Sequence, residues 1–503
     1  MSLSKVYSRA QVGISAPQVI VETHISNGLP QLAIVGLPET AVKESKDRVR
    51  SALLNAGFEF PAKRITINLA PADLPKEGGR YDLAIALGIL SATGQVPLEA
   101  LANKEFLGEL ALTGELRAVR GALPAAIAAG NDGRSLYVAE GNRLEASLSM
   151  ETAVYAANHL LDVCADLCGE KALEVTCVPA PPAFVGKGAD LLDVKGQYQA
   201  RRALEIAAAG GHNLLLYGPP GTGKSMLASR LPGILPPLSE QEALEVAAVY
   251  SIAGKLFDHA QWGIRPFRGP HHTASAAALV GGGSQPRPGE VTLAHHGVLF
   301  LDELPEFNRK VLEVLREPIE SGHIVISRAN NQTTFPARFQ LVAALNPCPC
   351  GYLGHPAISC SDTPQQVAKY RQKLSGPMLD RFDLHVEVPA QAGDVLTRKD
   401  VVSESSAQVK ERVMAARQRQ MARQGMRNQD LSGAQLEESC ALDSQSRLLL
   451  ESALNRLGLS ARALHRVMRV ARTIADLEAR QDITTRHLTE ALGYRKLDRK
   501  VGS

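Results

Sequence analysis

Apolar residues in the middle of the chain come in short unbroken runs. Leu214–Tyr217, Val298–Leu301 and Leu341–Leu345 are such runs, the pattern of strands buried on both faces. The stretch MLASRL, from Met226, favours a helix after the first of them. By contrast, His323–Pro336 alternates on either side of a polar tip at Arg328–Asn331, which predicts a β-hairpin. A strand-like run ending at Val386–Pro389 gives way to long Arg- and Gln-rich helical segments such as Val409–Gly425. The alanine-rich stretch Leu123–Gly130 is also helical in pattern, and no repeat of solenoid period is present. Pro179–Gly188, PAPPAFVGKG, suits neither helix nor strand and predicts a linker. The expected division is therefore 1–178, a linker at 179–189, then 190–390 and 391–503, in keeping with a 503-residue chain too long for a single core.

The first apolar run leads into Gly218–Ser225, GPPGTGKS, a complete P-loop between a strand and a helix. Its glycines, Gly218, Gly221 and Gly223, let the backbone wrap phosphates, with Pro219, Pro220, Thr222 and Met226 completing the cradle and the helix start. Lys224 supplies a point charge between the β- and γ-phosphates, and Ser225 holds Mg²⁺. ATP with Mg²⁺ is the expected ligand pair.

The second run closes on Asp302 and Glu303. After a buried strand and downstream of a P-loop, such a pair reads as a Walker B motif, with Asp302 on the magnesium shell and Glu303 polarising the attacking water. The third run delivers Asn346 to a sheet edge, where it could hold that water, although an asparagine before Pro347 is also an ordinary turn residue. Arg381, in SGPMLDRFDL, could reach a nucleotide across a subunit interface or simply pair with Asp380 or Asp383. Arg462, in LSARAL, could reach the nucleotide from a helical lid or be solvated surface.

Composition narrows the setting. No window approaches the roughly twenty apolar residues of a membrane span and the chain opens without a leader pattern, so a cytoplasmic protein with no membrane partner is expected. Net charge is only +3, but residues 401–503 carry 18 lysines and arginines against 12 acidic residues, which permits nucleic-acid contact. Aromatics are 4%, so base stacking is poorly supplied and any DNA binding should be phosphate-dominated. Three of the seven cysteines crowd into Cys348, Cys350 and Cys360, a spacing suited to structural Zn²⁺ but short of a fourth ligand. Asp362 is a poor thiolate-site ligand, His355 sits in a short loop, and inert or redox-sensitive thiols are the alternative. The pairs His271–His272 and His295–His296 are expected to make hydrogen bonds rather than bind metal, since adjacent side chains diverge.

Taken together, the blocks NLAPADLPKEGGRYDLAIALGIL, FRGPHHTASAAALVGGGSQPRPGEVTLAHHGVLFLDELPEF, LSGPMLDRFDLHVEV and LSARALHRVMRVARTIADLE resemble the magnesium-chelatase-like AAA+ family over nearly the whole length. The resemblance implies an α/β fold: an AAA+ core, an N-terminal Lon-protease-like α+β domain and a C-terminal helical lid. It implies a homo-hexameric, ATP-driven ring that moves single-stranded and branched DNA in branch migration, with recombination proteins as partners. Residue by residue it assigns Lys224 and Ser225 to Walker A, Asp302 and Glu303 to Walker B, Asn346 to sensor 1, Arg381 to the arginine finger and Arg462 to sensor 2. Gly281–Gly289 resembles a helix-2 insert and His323–Pro336 a pre-sensor-1 hairpin, so Arg287 and Arg328 are the expected DNA contacts. Laid against the Lon protease pattern, the serine position falls on Arg80 and the lysine position near Leu123, so no peptidase dyad is expected; Lys63, Arg64 and Arg80 remain as basic residues for DNA guidance. Two other classes stay open, a metal-insertion chelatase subunit and a protein unfoldase.

Overall fold

The computed structural model describes all residues except 1, 37–41, 43, 177–188, 256–260, 284–285, 328–331, 392–402, 458–459, 496 and 498–503. Nearly all of the linker expected at 179–189 thus lies outside the described residues, as does the tip that carries Arg328. The chain forms two compact units. One comprises 1–184, 240–262 and 325–335, and the other 185–239, 263–324 and 336–503.

The first unit is built on a seven-stranded mixed sheet. Its strands are β1 (Ser2–Arg9), β2 (Gln18–Ser26), β3 (Gln31–Val35), β4 (Arg64–Ala70), β5 (Lys104–Leu107), β8 (Ser135–Ala139) and β9 (Val154–Ala157), in the order β3-β4-β2-β1-β5-β8-β9. A short ribbon, β6 (Glu109–Leu110) with β7 (Leu116–Arg117), stands apart from it. Helix α1 (Ser45–Asn55) packs on α2 (Asp82–Ala92), which lies against β1, β2 and β5 with every residue from Asp82 to Leu90 buried. A helix buried all round must satisfy its one charge internally, and Asp82 does so with the Arg48 guanidinium of α1 at 2.8 Å. Gly88 lets α2 approach β2, because a Cβ there would stand 2.5 Å from the Thr23 hydroxyl.

Just ahead of α2, Arg80 is buried. It donates to the Arg9 carbonyl at 3.4 Å, the Gln11 side chain at 3.0 Å and the Arg120 carbonyl. Leu123, in α3 (Ala122–Asn131), is fully buried as well. Arg80 is therefore a structural strut, which corrects its inclusion among basic residues available to DNA; Lys63 and Arg64 are exposed. Arg80→Leu strands those acceptors and is expected to cost about 2–4 kcal/mol, read as a lower denaturant midpoint of the full chain with the slope unchanged.

The second unit carries five parallel strands. They are β10 (Leu214–Tyr217), β11 (Phe267–Arg268), β14 (Val298–Leu301), β17 (Gln340–Leu345) and β18 (Leu384–Glu387), in the order β11-β14-β17-β10-β18. Burial is nearly complete along β10, β14 and β17, as unbroken apolar runs in a covered parallel sheet require. Within the expected helix-2 insert, β12 (Gly281–Gly282) and β13 (Arg287–Pro288) form a minimal antiparallel ribbon. The hairpin expected at 323–336 is present as a two-stranded sheet of β15 (His323–Ser327) and β16 (Gln332–Pro336).

Helix α4 (Tyr198–Gly210) packs against α5 (Lys224–Ile234), α6 (Ser406–Gln424) and α7 (Ala461–Leu477). The helices expected as a separate part from 391 onward share one apolar cluster with the sheet, in which Val409, Val413, Val467 and Ile474 meet the cluster of Leu214, Leu216 and Val386.

Candidate nucleotide site and arginine-lined cavity

Parallel pairing gathers the phosphate-handling residues. Tyr217 of β10 lies beside Leu345 of β17, and Leu301 of β14 beside Ala343. The P-loop, Asn346 and Asp302 therefore leave the sheet together at its carboxyl edge, where open α/β sheets bind ligands. Gly218 is required by proximity, since a Cβ would stand 2.2 Å from the Val388 carbonyl oxygen. Gly221 and Gly223 are required by their backbone, with φ of 74° and 88°.

From Gly223 the chain enters α5, whose first residue is Lys224. Its ammonium donates to the Gly218 and Pro219 carbonyls at 2.7 and 2.8 Å and to Asn346 Oδ1 at 3.1 Å. Burial holds the Lys224 pKa below its ordinary value, with Asp302 and Glu303 opposing the shift. The Ser225 hydroxyl donates to Asp302 Oδ2 at 2.6 Å. The loop thus has room for phosphates, an ammonium beside them, and a hydroxyl–carboxylate pair of the kind that holds Mg²⁺, so the donor set fits a magnesium nucleotide.

Glu303 stands at left-handed φ, 51°, a strained position for a non-glycine residue and of the sort retained where geometry matters. Its carboxylate is more than half exposed and meets His272 Nδ1 at 3.2 Å. That partner was not foreseen beyond a general expectation of hydrogen bonding for the histidine pairs; His295, likewise, accepts from the Arg338 amide at 3.0 Å.

Arg381 lies elsewhere. The Ser375 side chain caps a single turn, Gly376–Leu379, that ends just before it. Asn213, immediately before β10, donates its side-chain amide to the Arg381 carbonyl at 2.9 Å, while the Asn213 backbone amide donates to Asp383 at 2.9 Å, immediately before β18. Arg381 thus sits at the amino end of the strands whose carboxyl end bears the P-loop, a strand length of about 13 Å away. The guanidinium is buried and meets Glu320 at 2.5 Å; burial lowers its pKa and Glu320 opposes that. Its ion pair is with neither Asp380 nor Asp383, the two sequence-local alternatives; Asp383 instead receives Arg466 at 3.1 Å.

Arg462 lies in the first turn of α7, after Ser460 caps the helix through the Ala463 amide. It shares with Arg381 a cavity of about 780 Å³, which Arg338, Arg427, Arg466 and Arg469 also line, against the acids Glu320 and Asp430. Arg466 and Arg469 were missed, although 462, 466 and 469 recur at i, i+4 and i+7, a single helix face. The site residues therefore fall into two groups, one at each end of the sheet.

Three family models cover most of the chain. "Magnesium chelatase, subunit ChlI" matches residues 190–396, "Subunit ChlI of Mg-chelatase" 21–142, and "Magnesium chelatase, subunit ChlI C-terminal" 403–495. The Competence protein ComM of Haemophilus influenzae is 54% identical over 503 residues, covering 99% of this chain and 98% of that protein. The chain belongs to the magnesium-chelatase-like AAA+ family. The uncharacterized protein YifB of Escherichia coli is likewise 54% identical, over 99% of this chain and 98% of that protein. Lon protease 2 of Bacillus subtilis is 33% identical over 137 residues, 25% of each chain. Membership implies ATPase activity with ATP and Mg²⁺. No helix among the described residues is long and apolar enough to cross a membrane.

Proposed function

We propose that the chain is the subunit of a hexameric ring that hydrolyses ATP between neighbouring copies and uses the cycle to move along DNA, shifting branch points during uptake and recombination of DNA. The observation that carries this reading is the division of the site. The carboxyl edge of the sheet holds the P-loop, Asp302, Glu303 and Asn346, whereas Arg381 and Arg462 line a cavity at the other end. Head-to-tail packing of identical copies would bring one subunit's arginines to the next one's phosphates, and such heterologous contacts form a ring when the rotation between copies closes. Mg²⁺, held by Ser225 and Asp302, would screen the phosphate charge. Lys224 and the loop amides bind the phosphates, Asn346 and Glu303 orient and deprotonate water, and Arg381 offsets charge on the transferred group.

The relative named for competence, matched end to end, supports the link to DNA uptake. Arg287 is exposed at the end of the β12–β13 ribbon, a suitable place for a sequence-independent phosphate contact; Arg328 is proposed for the same work from sequence alone. The deciding experiment measures ATP turnover with and without single-stranded and three-way-branched DNA, together with strand displacement, against Lys224→Ala and Glu303→Gln. Stimulation by DNA with ATP-dependent branch movement is the expected result, and turnover indifferent to DNA with static branches would overturn the motor. Arg287→Ala should weaken DNA binding evenly across sequences and make the slope of log K against log salt shallower by about 1.

A second reading, a chelatase-type subunit that drives metal insertion, is favoured by the matches to magnesium chelatase over both units. It predicts turnover stimulated by a tetrapyrrole-handling protein and not by DNA.

A further inference from the structure

Two residues beyond Asn346, the chain draws together four ligand atoms. The sulfurs of Cys348, Cys350 and Cys360 lie 3.4, 3.6 and 3.5 Å from one another, close to an equilateral triangle. Asp362 Oδ2 stands 3.8 Å from the Cys360 sulfur and accepts the Cys350 backbone amide at 2.8 Å, which fixes its orientation. All four lie within 4.8 Å of each other.

Thiolates bound at about 2.3 Å to a tetrahedral ion lie about 3.8 Å apart, and a carboxylate oxygen at about 2.0 Å lies about 3.5 Å from each of them. The observed sulfur triangle and the 3.8 Å from Asp362 Oδ2 to the Cys360 sulfur lie close to those dimensions. A disulfide, by contrast, needs one S–S separation of about 2.05 Å and would leave the third thiol odd, and three nearly equal separations favour no pair. His355 is turned to another task, its Nδ1 accepting the Ala357 and Ile358 amides at 3.1 and 3.0 Å.

We infer that Cys348, Cys350, Cys360 and Asp362 form a closed tetrahedral site for Zn²⁺ that braces Asn346 against the P-loop. Three soft thiolates select zinc over magnesium or calcium, and four protein ligands leave no open position for catalysis, so the ion is structural. Binding sends the three thiol protons to solvent and involves no redox change. The expected fourth-ligand gap is filled by the residue set aside as a poor ligand.

The bracing follows from what the loop touches. Gly351, at φ 85°, lies between the ligands Cys350 and Cys360 and packs so tightly on the P-loop that a Cβ would stand 2.8 Å from Pro220 Cδ and 3.9 Å from Asn346 Cγ. Asn346 itself meets Lys224. A clip across residues 348–362 therefore holds both the asparagine and the loop opposite it.

The test is metal analysis of the full-length protein, followed by replacement with Co²⁺ as the probe, whose visible bands report tetrahedral geometry and thiolate number. About one zinc per chain is expected, with sulfur-to-cobalt charge-transfer bands. Cys360→Ser should abolish both. Asp362→Asn should weaken affinity about tenfold or more and alter the cobalt spectrum, while Asp362→Cys should add thiolate intensity and His355→Ala leave affinity and spectrum as in wild type. A protein with neither zinc nor a tetrahedral cobalt spectrum overturns the site, and an Asp362→Asn variant identical to wild type overturns the fourth ligand. Stripping the ion should lower ATP turnover several-fold; unchanged turnover would overturn the brace. Metal content is read without nucleotide or DNA, so its failure is separable from failure of the motor reading.

Discussion

Mixing Lys224→Ala subunits with Arg381→Ala subunits is expected to restore a share of the ATP turnover that each variant has lost alone. The argument rests on the sheet. Lys224 follows the carboxyl end of β10, while Arg381 is tied through Asn213 to its amino end, and no side chain spans that separation within one copy. Each site would then take its lysine from one subunit and its arginine from the next. Arg381→Ala alone should lower turnover about 10³-fold or more, as loss of an arginine finger does, with ATP binding little changed. In an equimolar random mixture about one interface in four pairs an intact lysine with an intact arginine. Turnover should therefore return toward that fraction of wild type, and a mixture no more active than its components would show that Arg381 acts elsewhere. Arg462→Ala, from the same cavity, should also be rescued by mixing with Lys224→Ala.

Glu303→Gln is the second large effect. The substitution keeps size and hydrogen bonding but removes the proposed base, so turnover should fall about 10²- to 10⁴-fold. Nucleotide affinity should change little, because in the proposed site Lys224, Ser225 and Asp302 would carry the phosphate and magnesium contacts. His272, 3.2 Å from the Glu303 carboxylate, is placed to orient it; His272→Ala should therefore lower turnover by less than about tenfold. Single-turnover hydrolysis with fluorescent nucleotide binding separates the outcomes, and a Glu303→Gln enzyme near wild-type rate would assign the base to another residue.

What could be read in advance was whatever is local in sequence. Gly218–Ser225 and Val298–Glu303 announce themselves because phosphate wrapping and a strand-end carboxylate need neighbours in fixed order. Parallel pairing then brings Asn346 to Lys224, a placement that the short apolar strands already implied. The pairing of His272 with Glu303 was not legible, since 30 residues, including the β12–β13 ribbon and β14, separate them. Asp362 was dismissed on ligand chemistry, whereas its Oδ2, fixed by the Cys350 amide, stands near three sulfurs. Arg381 carried no signal of burial, because its carboxylate, Glu320, comes from 61 positions earlier in the chain. The recurrence of Arg462, Arg466 and Arg469 on one helix face was visible in the sequence, yet only Arg462 was read from it.

Arg80 also limits the chemistry its own position can host. Its guanidinium knits Arg9, Gln11 and Arg120 together at the position where the Lon-like pattern would carry a serine. A serine placed there would leave those acceptors bare, and the buried Leu123 would still offer no base. Peptidase chemistry at this seat would therefore need at least two substitutions, the first of which removes buried hydrogen bonds before any base is in place.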